Sequence, residues 1–209
     1  MIKLICFDFD GTLVDSYDFY FNIFSKILKK HNYKFDKNKL KILLGEKSSF
    51  ILQNLGVEET EIPILNKEIF NEALTNNHKL KFCDSITSLK KLSNDCKLII
   101  VSNTNYKIIE KIMQSFKIKQ LFDNFYFNGK YSKSYSIKMI SKNFNIKPSS
   151  IVYIGDRFSD IIEAKKARCW SIAIHNKLSW SSLNEIKKQK PDFIINSFDE
   201  LEKVLNIIS

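Results

Sequence analysis

Short apolar runs that stop abruptly at polar or glycine residues recur along the chain. Residues 4–7 stop at Asp8, 98–101 at Ser102, 151–154 at Gly155, 171–174 at His175 and 193–195 at Asn196. Runs of this length, with almost no polar interruption, suit strands buried on both faces, as in a parallel sheet. Between them the period changes to that of a helix. Ile86, Leu89 and Leu92 precede the second run, and Ile108, Ile109, Ile112, Met113 and Phe116 follow it. Ile137, Ile140 and Phe144 precede the third run, and Ile161, Ile162 and Ala164 follow it. Such spacings gather apolar side chains on one helical face. Ser197 and Glu200 form a capping-box pattern that predicts a last helix over 198–208. Alternating strand and helix predict an α/β protein with a Rossmann-like, doubly wound parallel sheet.

One stretch breaks the alternation. From Tyr17 to Leu80 the apolar positions keep helical spacing only, beginning with Tyr20, Phe24, Ile27 and Leu28. Gly45 and Gly56 punctuate it, and Pro63 suits a helix start. The expectation is a small α-helical cap domain, 17–80, inserted after the first strand, with residues 1–16 and 81–209 forming the core domain. The linkers fall near 15–17 and 79–84.

The residues that end the runs carry the chemistry. In parallel sheets ligands bind beyond the carboxyl ends of the strands. Asp8 and Asp10 lie beyond the first run, Ser102 ends the second, and Gly155-Asp156-Arg157-Phe158-Ser159-Asp160 follows the third. Lys130 and Lys133 lie ahead of the helix that feeds that third run. Four carboxylates meeting in one cleft require a cation. Oxygen ligands without His or Cys favour a hard ion, and Mg²⁺ is the usual one in phosphate chemistry. An ionised carboxylate can then act as nucleophile, and a second one with a raised pKa can act as acid and base. A lysine and a hydroxyl can hold a charged phosphoryl oxygen. Taken singly, several of these residues have plainer readings. Asp8 and Asp10 could form a turn, Ser102 could cap a helix, and Asp160 could complement a helix dipole.

DFDGTLVDS at 8–16, VSNT at 101–104, the lysines and GDRFSD at 155–160 come in an order and spacing that resemble the haloacid dehalogenase superfamily. The likeness covers essentially the whole chain, and the early helical insertion resembles its phosphoglycolate-phosphatase-like group. The resemblance implies Asp8 as nucleophile and Asp10 as general acid and base. It implies a Mg²⁺ ion held by Asp8, the Phe9 carbonyl, Asp156 and Asp160, the last directly or through water, with Asp10 a weaker candidate ligand. Phosphate would be bound by Ser102, the Asn103 backbone N–H and Lys133, with Lys130 as second choice. Gly11, Thr12 and Gly155 would shape the loops. The implied activity is hydrolysis of a small phosphomonoester, such as phosphoglycolate or a sugar phosphate, through an aspartyl phosphate. A phosphomutase on the same core and a non-catalytic phospho-ligand-binding protein are the alternatives. A dehalogenase would need neither Asp10 nor the second acidic cluster. Arg168 stands where the family often has a helix-ending glycine.

Composition changes this picture little. The net charge of +10, from 33 Lys+Arg against 23 Asp+Glu, at first suggests nucleic acid. Arg157 and Arg168 are the only arginines, however, and the lysines are spread without a cluster, so no nucleic-acid partner is expected. The charge suits anionic small molecules, and a small phosphorylated metabolite is the expected partner. Cys6, Cys83, Cys96 and Cys169 have no metal-binding spacing and suit a reducing cytoplasm. No run has the length of a membrane span or signal peptide, so no membrane partner is expected. The expected state is a monomer or weak homodimer. His31, His78 and His175 are scattered and read as structural or surface groups, and Tyr17 and Tyr20 are candidates to face substrate from the insertion.

Overall fold

The computed structural model describes residues 1–83, 86–127 and 131–208. The chain begins with β1 (Leu4–Phe7), which is wholly buried, and β2 (Val14–Asp15). Four helices follow: α1 (Tyr17–Lys30), α2 (Lys37–Leu43), α3 (Ser48–Asn54) and α4 (Ile62–Asn76). Next come β3 (Lys81–Phe82), α5 (Ile86–Asp95), β4 (Lys97–Ser102), α6 (Tyr106–Ser115), β5 (Asn124–Phe127) and α7 (Lys133–Asn143). The chain ends with β6 (Ile151–Gly155), α8 (Phe158–Ala167), β7 (Trp170–Ile174), α9 (Leu183–Lys188), β8 (Phe193–Ile195) and α10 (Leu201–Ile208).

Six strands form one sheet in the order β5-β4-β1-β6-β7-β8, and all neighbours are parallel. Because strand side chains alternate in direction, the two faces build separate cores. Ile5, Phe7, Leu98, Ile100, Val152 and Ile154 pack on one face with residues of α5, α6 and α10. Leu4, Cys6, Ile99, Val101, Ile151 and Tyr153 pack on the other with α7 and α8. The doubly wound α/β sheet expected from the apolar runs is therefore present. The chain winds from β1 through β4 to β5, then returns past β1 to β6. That reversal makes the carboxyl ends of β1, β4 and β6 the topological switch point, where such sheets bind ligands.

Every element described between Tyr17 and Lys79 is helical. The two linkers do something the sequence pattern did not announce. β2 and β3 pair antiparallel, Val14 with Phe82 and Asp15 with Lys81, and the Cys83 N–H donates to the Leu13 carbonyl at 2.9 Å. The entry and exit of the helical insertion are thus hydrogen-bonded to each other.

Two further differences have physical reasons. β5, an edge strand that opens on the exposed Asn124 and whose Phe125 and Tyr126 are only half-buried, was not among the apolar runs. The Ser197 capping box does not form. Ser197 caps nothing, and the Glu200 carboxylate accepts instead from the Asn196 backbone N–H at 2.9 Å. A short 3₁₀ turn, Phe198–Glu200, intervenes, so α10 starts at Leu201. Arg168 sits just past α8 at φ +62°, the left-handed conformation that favours glycine. Among the described residues no helix is long and apolar enough to cross a membrane.

Candidate active site

The loop after β1 is held from within. The Phe9 carbonyl accepts from the Leu13 N–H at 2.8 Å and the Val14 N–H at 3.0 Å, and Gly11 turns the chain at φ +76°. A Cβ on Gly11 would collide with the Asp156 carboxylate and the Trp180 ring, so this turn must approach them without a side chain. Gly155 is under the same constraint, because a Cβ there would strike the Asp160 side chain. Thr12 Oγ1 donates to Asp156 Oδ1 at 3.0 Å and ties the first loop to the third.

Three buried carboxylates, Asp8, Asp156 and Asp160, each bring an oxygen within 4.8 Å of the others. Lys133, at the first turn of α7, reaches across to them. Its Nζ lies 2.9 Å from Asp8 Oδ1 and 2.7 Å from Asp160 Oδ1. Ser132 caps that helix by accepting from the Tyr135 N–H at 3.2 Å, which fixes where α7 begins and where Lys133 points. Lys130, the second choice for this cation, lies outside the described residues.

One ammonium does not balance three carboxylates. Burial pushes the Asp8 carboxyl up to about 7; Lys133 opposes this, while Asp160 and Asp10 add to it. Burial also raises Asp156 well above the ordinary carboxylate range, with the charges of Asp160 and Asp8 adding to the effect. Burial would lower Lys133, but the surrounding Asp160 and Asp8 outweigh it and hold the ammonium above its ordinary value. The pocket is therefore short of positive charge. Hard oxygen donors lacking a counter-charge fit a divalent ion such as Mg²⁺.

Asp10 stands apart from this trio. Its Oδ1 accepts from Ser16 Oγ at 2.7 Å and its Oδ2 from Thr104 Oγ1. Burial raises its pKa, and the two hydroxyl donors pull it back. The structure thus separates Asp10 from the acidic trio, against its weaker candidacy as a metal ligand. The Phe9 carbonyl needs a correction too. With two backbone N–H groups on it, it is committed to the loop and offers no lone pair to a cation.

Ser102 ends β4, buried, and its Oγ accepts from the Thr104 N–H at 3.0 Å, which leaves the hydroxyl proton available. Asn103 donates through its side-chain amide to the Gly45 carbonyl at 2.8 Å, linking the core to the insertion. Asp160 combines its plain reading with its place in the trio. Its Oδ2 accepts from the Arg157 N–H at the start of α8 at 3.0 Å, while Oδ1 faces Lys133 and, at 3.3 Å, the Tyr153 hydroxyl. A cavity of about 440 Å³ opens above, bordered by Asp8, Asp10, Ser102, Asn103 and Lys133 on one side and by the helical insertion on the other. Tyr20 borders it, whereas Tyr17 packs edge-on against Trp180.

Sequence reasoning missed four neighbours of this chemistry. Ser16 and Thr104 lay inside the motifs already singled out and could have been found as hydroxyls close to Asp10. Tyr153 passed as an apolar strand residue. Trp180, whose backbone N–H donates to Asp156 Oδ2 at 2.7 Å, sits in a loop with no local signal.

A parallel sheet thus brings an acidic trio, a lysine and a hydroxyl to its switch point, and comparison gives the family. Residues 5–174 match the model of the haloacid dehalogenase-like hydrolases, and the chain belongs to that family. Over 98% of its length it is 23% identical to a provisionally named pyrophosphatase, PpaX, of Caldanaerobacter subterraneus, covering 94% of that protein. Over 99% it is 22% identical to a phosphoglycolate phosphatase of Vibrio parahaemolyticus, covering 97% of that protein. A structure described as a predicted phosphatase from Clostridium acetobutylicum superposes with a TM-score of 0.85 at 25% identity, over 99% of each chain.

Proposed function

We propose that this hydrolase is a Mg²⁺-dependent phosphatase of small phosphomonoesters that works through an aspartyl phosphate on Asp8. The observation that carries the reading is the Lys133 ammonium 2.9 Å from Asp8, beside two further carboxylates and beneath an open cavity. The names of the phosphatase relatives support it. Mg²⁺, held by Asp8, Asp156 and Asp160, would supply the positive charge that lets a phosphate dianion approach these carboxylates.

Asp8 attacks phosphorus through a carboxylate oxygen, and the bond from phosphorus to the ester oxygen breaks. Asp10 gives its proton to the departing alkoxide, which leaves as the alcohol. Asp10, now ionised, takes a proton from water. The resulting hydroxide attacks phosphorus, the bond to Asp8 breaks, and inorganic phosphate leaves. Ser102, the Asn103 backbone N–H and Lys133 hold the phosphoryl oxygens during both displacements. Ser16 and Thr104 each donate to one Asp10 oxygen, which leaves a lone-pair site on each oxygen for the proton it transfers.

Residues 17–80 act in this reading as a cap on a core formed by 1–16 and 81–209. Polar contacts join them at the cavity. Asn103 reaches Gly45, Arg157 lies 3.3 Å from Glu46, and the Tyr20 and Thr104 hydroxyls are 3.5 Å apart. A cap closed in this way excludes bulk water from the phosphoryl group. The test is release of inorganic phosphate from a panel of phosphomonoesters, with Mg²⁺ and with EDTA, beside the Asp8→Asn variant. Release that needs Mg²⁺ and disappears in the variant is expected. Release that persists in the variant overturns the mechanism.

A further inference from the structure

Lys133 is shared by Asp8 and Asp160, so among the described residues Asp156 is the member of the acidic trio without an ion pair. Two donors orient it instead. Thr12 Oγ1 holds its Oδ1 at 3.0 Å, and the Trp180 main-chain N–H holds its Oδ2 at 2.7 Å. A carboxylate that ligates a metal keeps its angle through partners of this kind. Thr12 lies in the loop after β1, which its own backbone bonds fix. Trp180 lies in the connection between β7 and α9, outside any strand or helix. That connection grips the same acidic loop one residue further on, where Ser181 Oγ accepts from the Phe158 N–H at 3.2 Å.

The Trp180 ring is seated on both parts of the protein. A Cβ on Gly11 would come within 2.6 Å of its Cδ1, and one on Gly45 within 3.1 Å of its Cζ3, so the ring lies close over two glycines. Its third neighbour is the Tyr17 ring, edge-on with centroids 5.4 Å apart. The indole Nε1–H finds no acceptor among the described residues, so shape and not a hydrogen bond seats the ring. Gly11 belongs to the loop after β1, whereas Tyr17 opens α1 and Gly45 follows α2 in the helical insertion. The side chain is thus wedged between core and insertion, while its own main chain holds one of the three carboxylates. A displacement of the insertion unseats the ring, and an unseated ring frees the main chain that orients Asp156.

From a ring seated on both parts and a main-chain N–H on Asp156, we infer that Trp180 is a positioning residue for the divalent ion, and that through it the seated insertion strengthens Mg²⁺ binding. The inference rests on the Mg²⁺ site of the proposed function and adds to it a residue outside every motif that suggested that site. Linkage makes the effect reciprocal: an ion that binds more tightly when the insertion is seated also holds the insertion in its seat.

The test is calorimetric titration of Mg²⁺ into the metal-stripped full-length protein, beside its melting temperature in EDTA. Trp180→Ala is expected to weaken Mg²⁺ binding by about tenfold. Trp180→Phe keeps an aromatic ring in the wedge and gives up no hydrogen bond, so it should stay within about threefold of the parent protein. Gly45→Ala pushes on the ring from the insertion without contacting a carboxylate. It should weaken Mg²⁺ binding by about threefold or more in the parent chain and add nothing to Trp180→Ala. A Trp180→Ala protein that melts lower in EDTA yet binds Mg²⁺ as tightly as the parent overturns the inference, since the ring then serves packing only. Equal weakening by Gly45→Ala with and without the Trp180 ring overturns the coupling to the insertion. Should Trp180→Ala fail to fold, Gly45→Ala alone decides, and an unchanged Mg²⁺ affinity overturns the inference. A parent protein that binds no Mg²⁺ overturns the proposed metal site itself.

Discussion

The floor and the roof of one cavity are built on opposite terms. On the floor, at the carboxyl ends of β1, β4 and β6, nearly every polar atom has a partner: Asp156 holds Thr12 and the Trp180 N–H, Asp160 holds Lys133 and the Arg157 N–H, and Asp10 holds Ser16 and Thr104. The roof, from α1, α3 and α4, sets apolar side chains such as Phe24, Ile51 and Ile69 beside Ser48, Ser49, Asn66 and Lys67. A fully bonded floor fixes atoms to the tolerance that a chemical step needs. A roof whose lining comes from separate helices can be re-lined without disturbing that step. On the proposed function, the floor would decide what is done to the substrate, and the roof which substrate is admitted.

This contrast can be broken most severely at its centre. Asp8→Asn is expected to lower phosphate release by about a thousandfold or more, because no other described side chain stands in its place. Rates within tenfold of the parent protein would mean that the floor does not carry the chemistry. Thr104→Val should act more gently, with a loss of about tenfold in kcat. It also removes a hydrogen bond that lowers the Asp10 pKa, so the alkaline limb of the kcat profile, where Asp10 loses the proton it must give, should move to higher pH. A reduced rate with an unmoved profile would assign Thr104 a packing role only.

The electrostatic side of the contrast is sharpened by removing metal. Asp8 titrates at about 7 in the fold, above its ordinary value, mainly because it is buried. A group raised in this way contributes stability at acid pH that is lost as pH rises through the folded value. In EDTA the melting temperature should therefore be higher near pH 5.5 than near pH 8, and saturating Mg²⁺ should reduce or reverse that slope. A metal-free protein that grows more stable across this range would show the trio to be compensated by other means. The smallest effect lies away from both surfaces. Arg168→Gly relieves a left-handed backbone and should add about 0.5–1 kcal/mol in denaturant melts while leaving phosphate release unchanged.

The same contrast governs how far the sequence could be read. The floor comes from short local motifs at strand ends, where Asp8, Ser102 and Asp156 announce themselves by interrupting apolar runs. The doubly wound sheet was legible for the same reason, because strands buried on both faces leave continuous apolar runs. The edge strand β5 left no such mark. The roof is assembled from α1, α3 and α4, so Phe24, Ile51 and Ile69 meet only after folding. Their helical spacing reads as ordinary core. The Phe9 carbonyl was misassigned because a backbone oxygen has no letter in the sequence; only the turn of the loop shows that Leu13 and Val14 occupy it.

The pairing of β2 with β3 brings the two ends of the insertion side by side before any of its helices begins. Whatever lies between them enters and leaves the sheet through the same doorway. Closing a longer excursion between fixed ends raises the entropic cost only slowly, by about 0.6 kcal/mol for each doubling of length. The helical segment is therefore an exchangeable module in the evolutionary sense. Descendants of this fold could lengthen, shorten or replace it and acquire new substrates, while the sheet below inherited its reaction unchanged.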